Sequence, residues 1–484
     1  MRKYYGVKAV FFFSFVCIAL FIYNPFALYF LNDDMVHLPL SSQGVMFQHH
    51  SFRPVHDLLL CVEYKWWGIN ALGYHLIQWG IHAACSLLIY PFAFALFSQY
   101  SNLVYKRIVL ASLFSAALFS VYAFHSESVL WLLGSGASLA TVFFLLSAVT
   151  YIKRREGLLY FILSLLCFQI GLFTYEAIWA APLFVFLLSW ASVNNKTTQW
   201  KKEWVYSAIY FASFFANLVL RKIILGELGG SYGDDQLFVC NIKKLTYNGL
   251  CLFTRSFVPP SISAPVFMGC LALAIIVLFV VCRKIYLLKS FDSLLGILFI
   301  SFCCALLPVI TLGISTHSRE SERFLYLPSV FLCMLMVYSL LKMALSPLKL
   351  SVYLVGLLLY NSYFTYTNAR DYGVAGSISK TFYAHFASEK GNKDTIILTN
   401  FPRQFRGLPL FRVGFKEGIA WLYQIDTSKI YIPAEQEIQA KPAYSFALAK
   451  KDFRFNVAEN KLANKKELTL VFDSSYFYMV DYAK

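Results

Sequence analysis

Apolar residues in this chain fall in long unbroken runs, not in the alternating or every-third-or-fourth patterns of soluble strands and helices. Eleven stretches lack Asp, Glu, Lys and Arg: Ala9–Leu31, Gly73–Phe97, Ile108–Phe124, Ser128–Ile152, Gly157–Tyr175, Ala177–Val193, Trp204–Leu220, Ser256–Cys282, Ser293–Ser318, Phe324–Leu341 and Leu350–Ala369. Each approaches or exceeds the roughly 17 to 25 residues that cross a bilayer as a helix. In hydrocarbon every backbone polar group must be paired within the segment, so each run predicts a spanning helix. The first run follows the basic start MRKYYGVK, is too long for a signal peptide and has no small-residue cleavage site after it, so it reads as a retained first helix.

Composition agrees. Only 14% of the 484 residues are charged, 58% are hydrophobic, and mean hydropathy is +0.58, whereas soluble domains are about 25% charged. A water-soluble enzyme is excluded. The net charge of +16 suggests nucleic acid until its placement is considered. With a cytoplasmic N-terminus the inside loops hold sixteen basic and three acidic residues, the outside segments before residue 370 nine and eleven, and the tail seventeen and twelve. The excess is therefore mostly the positive-inside signal of membrane topology, no nucleic-acid partner is implied, and eleven spans put the tail outside. The eleven cysteines lie mostly inside apolar runs, none after Cys333, and read as small core residues.

The expected architecture is an all-α polytopic membrane domain over residues 1–367, with a small extracytoplasmic α+β domain over 368–484. Strand-like runs in the latter are Thr395–Leu398 and Leu468–Phe472. The first outside segment, residues 32–72, contains NDDMVH and a Trp66-Trp67 pair suited to short interfacial helices. A second, Arg221–Arg255, carries LGELGGSYGDD, whose glycines let backbone approach a ligand closely. The Asn195-Lys196-Thr197 sequon falls in an inside loop, where glycosylation is not expected.

Ionisable residues at membrane depth or its edge are costly, and their default reading is functional. Here they gather at outside helix ends: Asp33 and Asp34 after the first span, Glu127 after the third, Glu176 at the end of the fifth, and HSRESERFLYLPS, with Glu322, Arg323 and Tyr326, before the tenth. The carboxylates suit proton abstraction from a hydroxyl. Arg53, Arg221 and Arg323 suit a phosphate, which guanidinium binds bidentately. A base beside a phosphate site at a membrane face points to a lipid-phosphate substrate. Several of these residues have plainer roles open to them: Glu127 as a helix cap, Glu176 as an arginine's structural partner, Arg323 as an interfacial anchor, and Arg53 with Tyr74 as a clasp between the first loop and the second helix. His75 and His82 share a helix face and read as packing residues, with no third metal ligand in step.

The DD pair, FRPVHDLLL…WWGINALGYHLIQWGIHAACSLLIY, HSESVLWLLGSGASLA, TYEAIWAAP and SERFLYLPS together resemble GT-C glycosyltransferases over roughly residues 30 to 375, in particular the protein O-mannosyltransferase-like group that includes enzymes with tetratricopeptide repeats. The resemblance implies a GT-C fold and an inverting transferase. It implies a sugar taken from a polyprenyl-phosphate carrier on the outside face of the cell membrane and passed to a hydroxyl of a glycan, lipid or protein. Asp33, Asp34 and Glu127 would be catalytic, and Arg53, Glu176, Arg221, Glu322, Arg323 and Tyr326 would bind substrate. A divalent metal on the two aspartates is left open. The sequence departs from the group in lacking the repeats, in Tyr175 before Glu176, in Gln78 where Asn is frequent, and in GSGASLA, which lacks the usual Arg and Asp. Rival readings are a lipid-linked glycan polymerase or ligase, and a lipid-glycan flippase, which instead predicts charges near mid-membrane.

Overall fold

A computed structural model of the chain describes residues 20–194, 200–238, 241–260, 267–269, 271–272, 293–343, 345–389, 395–399, 403–426, 428, 430–431 and the strands within 445–480. Among these residues, five helices are long and apolar enough to cross a membrane, Ala71–Tyr100, Leu132–Glu156, Glu176–Val193, Trp200–Leu225 and Glu322–Lys342, and a sixth crossing arises if a bent pair counts as one. They coincide with the second, fourth, sixth, seventh and tenth predicted runs. The chain is a multi-pass membrane protein.

Several expected spans take a different form. The first run ends early: helix stops by Phe21, Asn24 adopts a left-handed conformation, and Pro25 begins a short 3-10 turn. Its beginning, most of Ser256–Cys282 and the 195–197 sequon lie outside the described residues. The ninth run is helical only over Ser293–Leu306 and a 3-10 turn to Val309, and the fifth only over Leu158–Leu172. The eleventh belongs to a helix of 43 residues, Pro347–Glu389. At 1.5 Å per residue it is about 64 Å long, roughly twice the hydrocarbon thickness, so it runs straight on past residue 368.

The third run is broken. Tyr105–Ser120 and Ala123–Leu130 meet at 50°, and the long helix supplies partners for the backbone freed there. Thr365 Oγ1 donates to Val121 O (2.8 Å), Ala123 N donates to Asn361 Oδ1 (3.0 Å), and Asn368 Nδ2 donates to Ala123 O (2.9 Å). Residues 361, 365 and 368 are four and three apart, hence on one helix face. The bend is thus a satisfied break of the kind tolerated where neighbouring helices re-pair the backbone.

Phe92, Phe144, Phe184 and Phe331, from four different helices, form the bundle's aromatic hub with ring centroids 5.3 to 6.3 Å apart. Exposed Leu158, Leu159, Ile162, Leu166, Phe215, Val219, Ile223, Val352, Leu359 and Tyr363 mark the faces left for lipid. In the C-terminal part, Thr395–Thr399 pairs in parallel with Ile430–Tyr431 on one side and Glu467–Phe472 on the other, and Phe455–Ala458 closes the sheet antiparallel. Both strand-like runs expected from the sequence are strands and are neighbours.

Candidate active site

The ends of several helices converge on one charged region, held by ion pairs in which Glu127, Glu176, Glu322 and Asp371 each meet a guanidinium. Glu127, delivered by the bend, takes a hydrogen bond from the Arg323 backbone N–H (2.8 Å) and an ion pair from its guanidinium. Rather than capping the fourth span, Glu127 pins the turn that begins the Glu322–Lys342 helix. Ser321, just before it, has φ +72°, a left-handed conformation that costs a non-glycine residue energy and must be held by its surroundings. Glu176 lies between Arg53 (2.8 Å) and Arg221. Glu322 meets Arg255 at 2.6 Å, with both side chains wholly buried. Asp371 holds Arg319 (2.8 Å) and Arg406 (2.9 Å).

The adjacent aspartates point different ways. Asp34 is fully buried and takes the Leu31 N–H at 2.8 Å. Burial holds its carboxyl well above the usual carboxylate range, which favours the neutral acid. Asp33 is half-buried, accepts from Asn32 Nδ2 (2.6 Å) and lines two adjoining cavities. Asn32 itself is left-handed, φ +47°, and the helix Asp34–Ser42 begins directly after Asp33, where successive side chains leave the axis in different directions.

The smaller cavity, about 460 Å³, is bounded by Asp33, Glu127, Arg319, Arg323, Tyr372 and Arg412. The larger, about 880 Å³, is bounded by Asp33, His37, Arg53, Asp57, Tyr232 and Arg323. Asp33, Trp131 and Arg323 border both. Trp131 is carried by the strand-like break after the bend, where Gln78 Nε2 donates to the Trp131 and Leu132 carbonyls, each at 2.8 Å. Gly134 is required there: a Cβ would lie 1.9 Å from the Glu127 carbonyl oxygen. Asp57 accepts the Phe47 N–H at 2.8 Å, and burial pushes it up to about 6. Burial pushes His56 down to about 3, so it is the neutral imidazole and hydrogen-bonds Ser135 Oγ at 3.0 Å.

Of the residues singled out in the sequence, Asp33, Glu127, Arg53 and Arg323 line the cavities. Asp34, Glu176, Arg221, Glu322 and Tyr326 do not: the first four are held inside as described, and the Tyr326 hydroxyl lies 2.6 Å from His82 Nδ1, wholly buried. His75 bonds Gln78 and His82 bonds Tyr326. Tyr74 donates to the Gly68 carbonyl (2.7 Å), while Arg53 reaches Glu176 and Tyr232, not the second helix. The glycine-rich loop approaches the protein's own groups: a Cβ on Gly230, φ +56°, would meet His50 O at 2.7 Å. Tyr232, Trp131, Tyr372, Arg319 and Arg412 escape the sequence reading. Arg319 stands inside HSRESERF, and Arg412 inside the basic, aromatic stretch NFPRQFRGLPLFRVGF, so a local excess of arginine was the available signal. Among the described residues no group of three His, Cys, Asp or Glu side chains is placed to hold a metal ion, and Asp34 is wholly buried and borders neither cavity, so this arrangement does not fit a metal on the pair.

The fold and site thus define a multi-pass membrane protein with a charged, partly enclosed chamber at one end of its helix bundle. No protein-family model matches the chain. Part of it is similar to protein O-mannosyl-transferases: one from Caenorhabditis elegans at 29% identity over 132 residues (26% of this chain, 18% of that protein), TMTC3 of Mus musculus at 26% over 124 residues (26% and 12%), and TMTC4 of Homo sapiens at 34% over 116 residues (22% and 16%). The matches span less than a fifth of each relative's length. The resemblance carried by the motifs is to the same group. Among solved structures, ArnT from Cupriavidus metallidurans, crystallised with undecaprenyl phosphate, aligns over 94% of this chain and 96% of its own at a TM-score of 0.46 and 11% identity.

Proposed function

We propose that the chain is a GT-C glycosyltransferase that moves a sugar from a polyprenyl-phosphate carrier to an acceptor hydroxyl on the extracytoplasmic face, inverting the anomeric centre. The observation that carries the reading is that one carboxylate, Asp33, and one guanidinium, Arg323, border both adjoining cavities. That arrangement suits a reaction with a base on one side of a sugar and a phosphate on the other. Asp33 takes the acceptor's hydroxyl proton as its oxygen attacks the anomeric carbon, and the bond from that carbon to the phosphate oxygen breaks in line. The departing phosphate already carries stable charge and needs no acid. Arg323, with Arg53 at the edge of the larger cavity, stabilises the charge that grows on it. Glu127 and Glu176 hold those guanidiniums in place. The N-terminus is cytoplasmic and the C-terminal part lies outside.

The test is a comparison of lipids, envelope polysaccharides and proteins from wild-type and deletion strains by mass spectrometry, with complementation by the wild-type chain and by Asp33→Asn. A hexose or pentose missing from one class, restored only by the wild type, supports the reading. An unchanged glycan profile, or full restoration by Asp33→Asn, counts against it. Reporter fusions after Lys106 and Lys349 should report cytoplasm, and fusions in the tail the outside.

A further inference from the structure

The stretch Arg403–Gly414 follows the last apolar run, yet it packs directly on the charged chamber. Gln404–Phe405 and Leu408–Pro409 form a small antiparallel hairpin. Its backbone joins the two loops that carry the site: Asn32 N donates to Leu410 O (3.2 Å), Val413 N to Asn32 Oδ1 (2.9 Å), and Arg319 N to Gly407 O (3.3 Å). Arg406 anchors it to Asp371. Pro409 and Arg412 then form one wall of the smaller cavity, facing Asp33, Glu127 and Arg323.

Arg412 differs from the other arginines there in how it is held. Arg53, Arg255, Arg319 and Arg323 are paired to carboxylates that are at most 6% exposed, and parting such a pair strands a buried charge. Arg412 forks onto Glu320 at 2.8 and 3.1 Å, with side-chain exposures of 39% and 40%. Because both partners are exposed, parting them leaves each charge in water and strands no buried charge, so among these arginines this guanidinium is the one free to change partner.

We propose that Arg412 is a substrate-binding residue: when a phosphate group enters the smaller cavity, its guanidinium leaves Glu320 for the phosphate oxygens, so the hairpin completes the site. This rests on the lipid-phosphate reading above. The chemistry recognised is a phosphate group, whether esterified to a lipid or free.

The experiment uses the purified full-length chain in detergent micelles, titrated with undecaprenyl phosphate, with inorganic phosphate and with undecaprenol, and followed by the fluorescence of Trp131 and its fellow tryptophans. Arg412→Gln should weaken undecaprenyl phosphate binding about tenfold, the loss of one charge-assisted fork, and leave undecaprenol unchanged. Glu320→Gln breaks the same ion pair but keeps the guanidinium, and should bind as tightly as wild type or more tightly. A matching effect of Arg412→Gln on inorganic phosphate identifies the bare phosphate as the recognised group, and an effect on undecaprenyl phosphate alone identifies the lipid ester; either supports the proposal. Equal losses in Arg412→Gln and Glu320→Gln would make the pair a structural strut and overturn it. If Arg412→Gln fails to fold, Arg412→Lys decides, since an affinity equal to wild type removes the fork from the site. Wild type that binds no undecaprenyl phosphate sinks the function reading as well, whereas normal wild-type binding with an unchanged Arg412→Gln overturns this inference alone.

Discussion

Glu127 holds Arg323 at two points, one carboxylate oxygen taking the backbone N–H and the other the guanidinium. The residues are 196 positions apart, and the double contact sets both the turn that begins the Glu322–Lys342 helix and the direction in which the guanidinium faces the two cavities. Glu127→Gln keeps an acceptor for the N–H and deletes the charge, leaving Arg323 uncompensated. A buried pair broken on one side costs about 3 to 5 kcal/mol. Because the Arg323 side chain is 18% exposed, the lower end applies, read as a fall in thermal unfolding temperature in detergent. Arg323→Lys should preserve expression and weaken polyprenyl-phosphate binding, since lysine cannot copy the planar fork. Affinity equal to wild type would leave interfacial anchoring as its role.

The two neighbouring aspartates should behave differently. Asp33→Asn removes the carboxylate that faces both cavities and should lower transfer by about 10² to 10⁴ with no change in unfolding temperature. Asp34 is buried and held toward the neutral form, so Asp34→Asn substitutes one neutral hydrogen-bonding group for another and should retain transfer within a few-fold. Single-turnover rates of the two variants, measured side by side, check this, and the reverse order of effects would refute the assignment.

Asn368 should act through the backbone break. It donates to the Ala123 carbonyl and to Ser126 Oγ (2.7 Å). Asn368→Leu removes both donations and leaves the buried Ala123 carbonyl only the longer Ser126 Oγ contact at 3.4 Å; it should cost about 1 kcal/mol, and should lower transfer as well because the break aims Glu127. Hydrogen exchange concentrated at residues 121–127 is the expected signature. Uniform exchange across the bundle would argue against a local role.

Glu63 supplies a pH test outside the site. It is buried on the helix Pro54–Trp67, and burial pushes it up to about 8. Unfolded, it titrates near 4.5. The folded chain therefore binds the proton more tightly, and stability falls as pH rises from about 4.5 to 8, by at most about 1.4 kcal/mol per pH unit, then levels off. Glu63→Gln should abolish that slope and be the more stable form at pH 8, with little difference near pH 4. Parallel melting curves for the two proteins across this range would show that Glu63 is not buried as described.

What the sequence determined by itself was membrane residence, the approximate position of most bundle helices, and the gathering of charge in a few segments. These follow from run length and composition, because the bilayer penalises any exposed charge or unpaired backbone group wherever it lies in the fold. Pairing was beyond it. That Glu127 takes Arg323, that Glu322 takes Arg255, and that Glu176 is shared by Arg53 and Arg221 depend on which helix ends meet. The opposite fates of Asp33 and Asp34, neighbours at a helix start, turn on which of them meets the cavities and which the packed interior. The bend after Ser120 is invisible in an unbroken apolar run, because its stability lies in Asn361, Thr365 and Asn368, more than 200 residues away. Arg412 likewise looks like an ordinary basic residue of a soluble tail until the hairpin lays it against Asp33 and Arg323, since long-range packing alone decides which charges share a cavity.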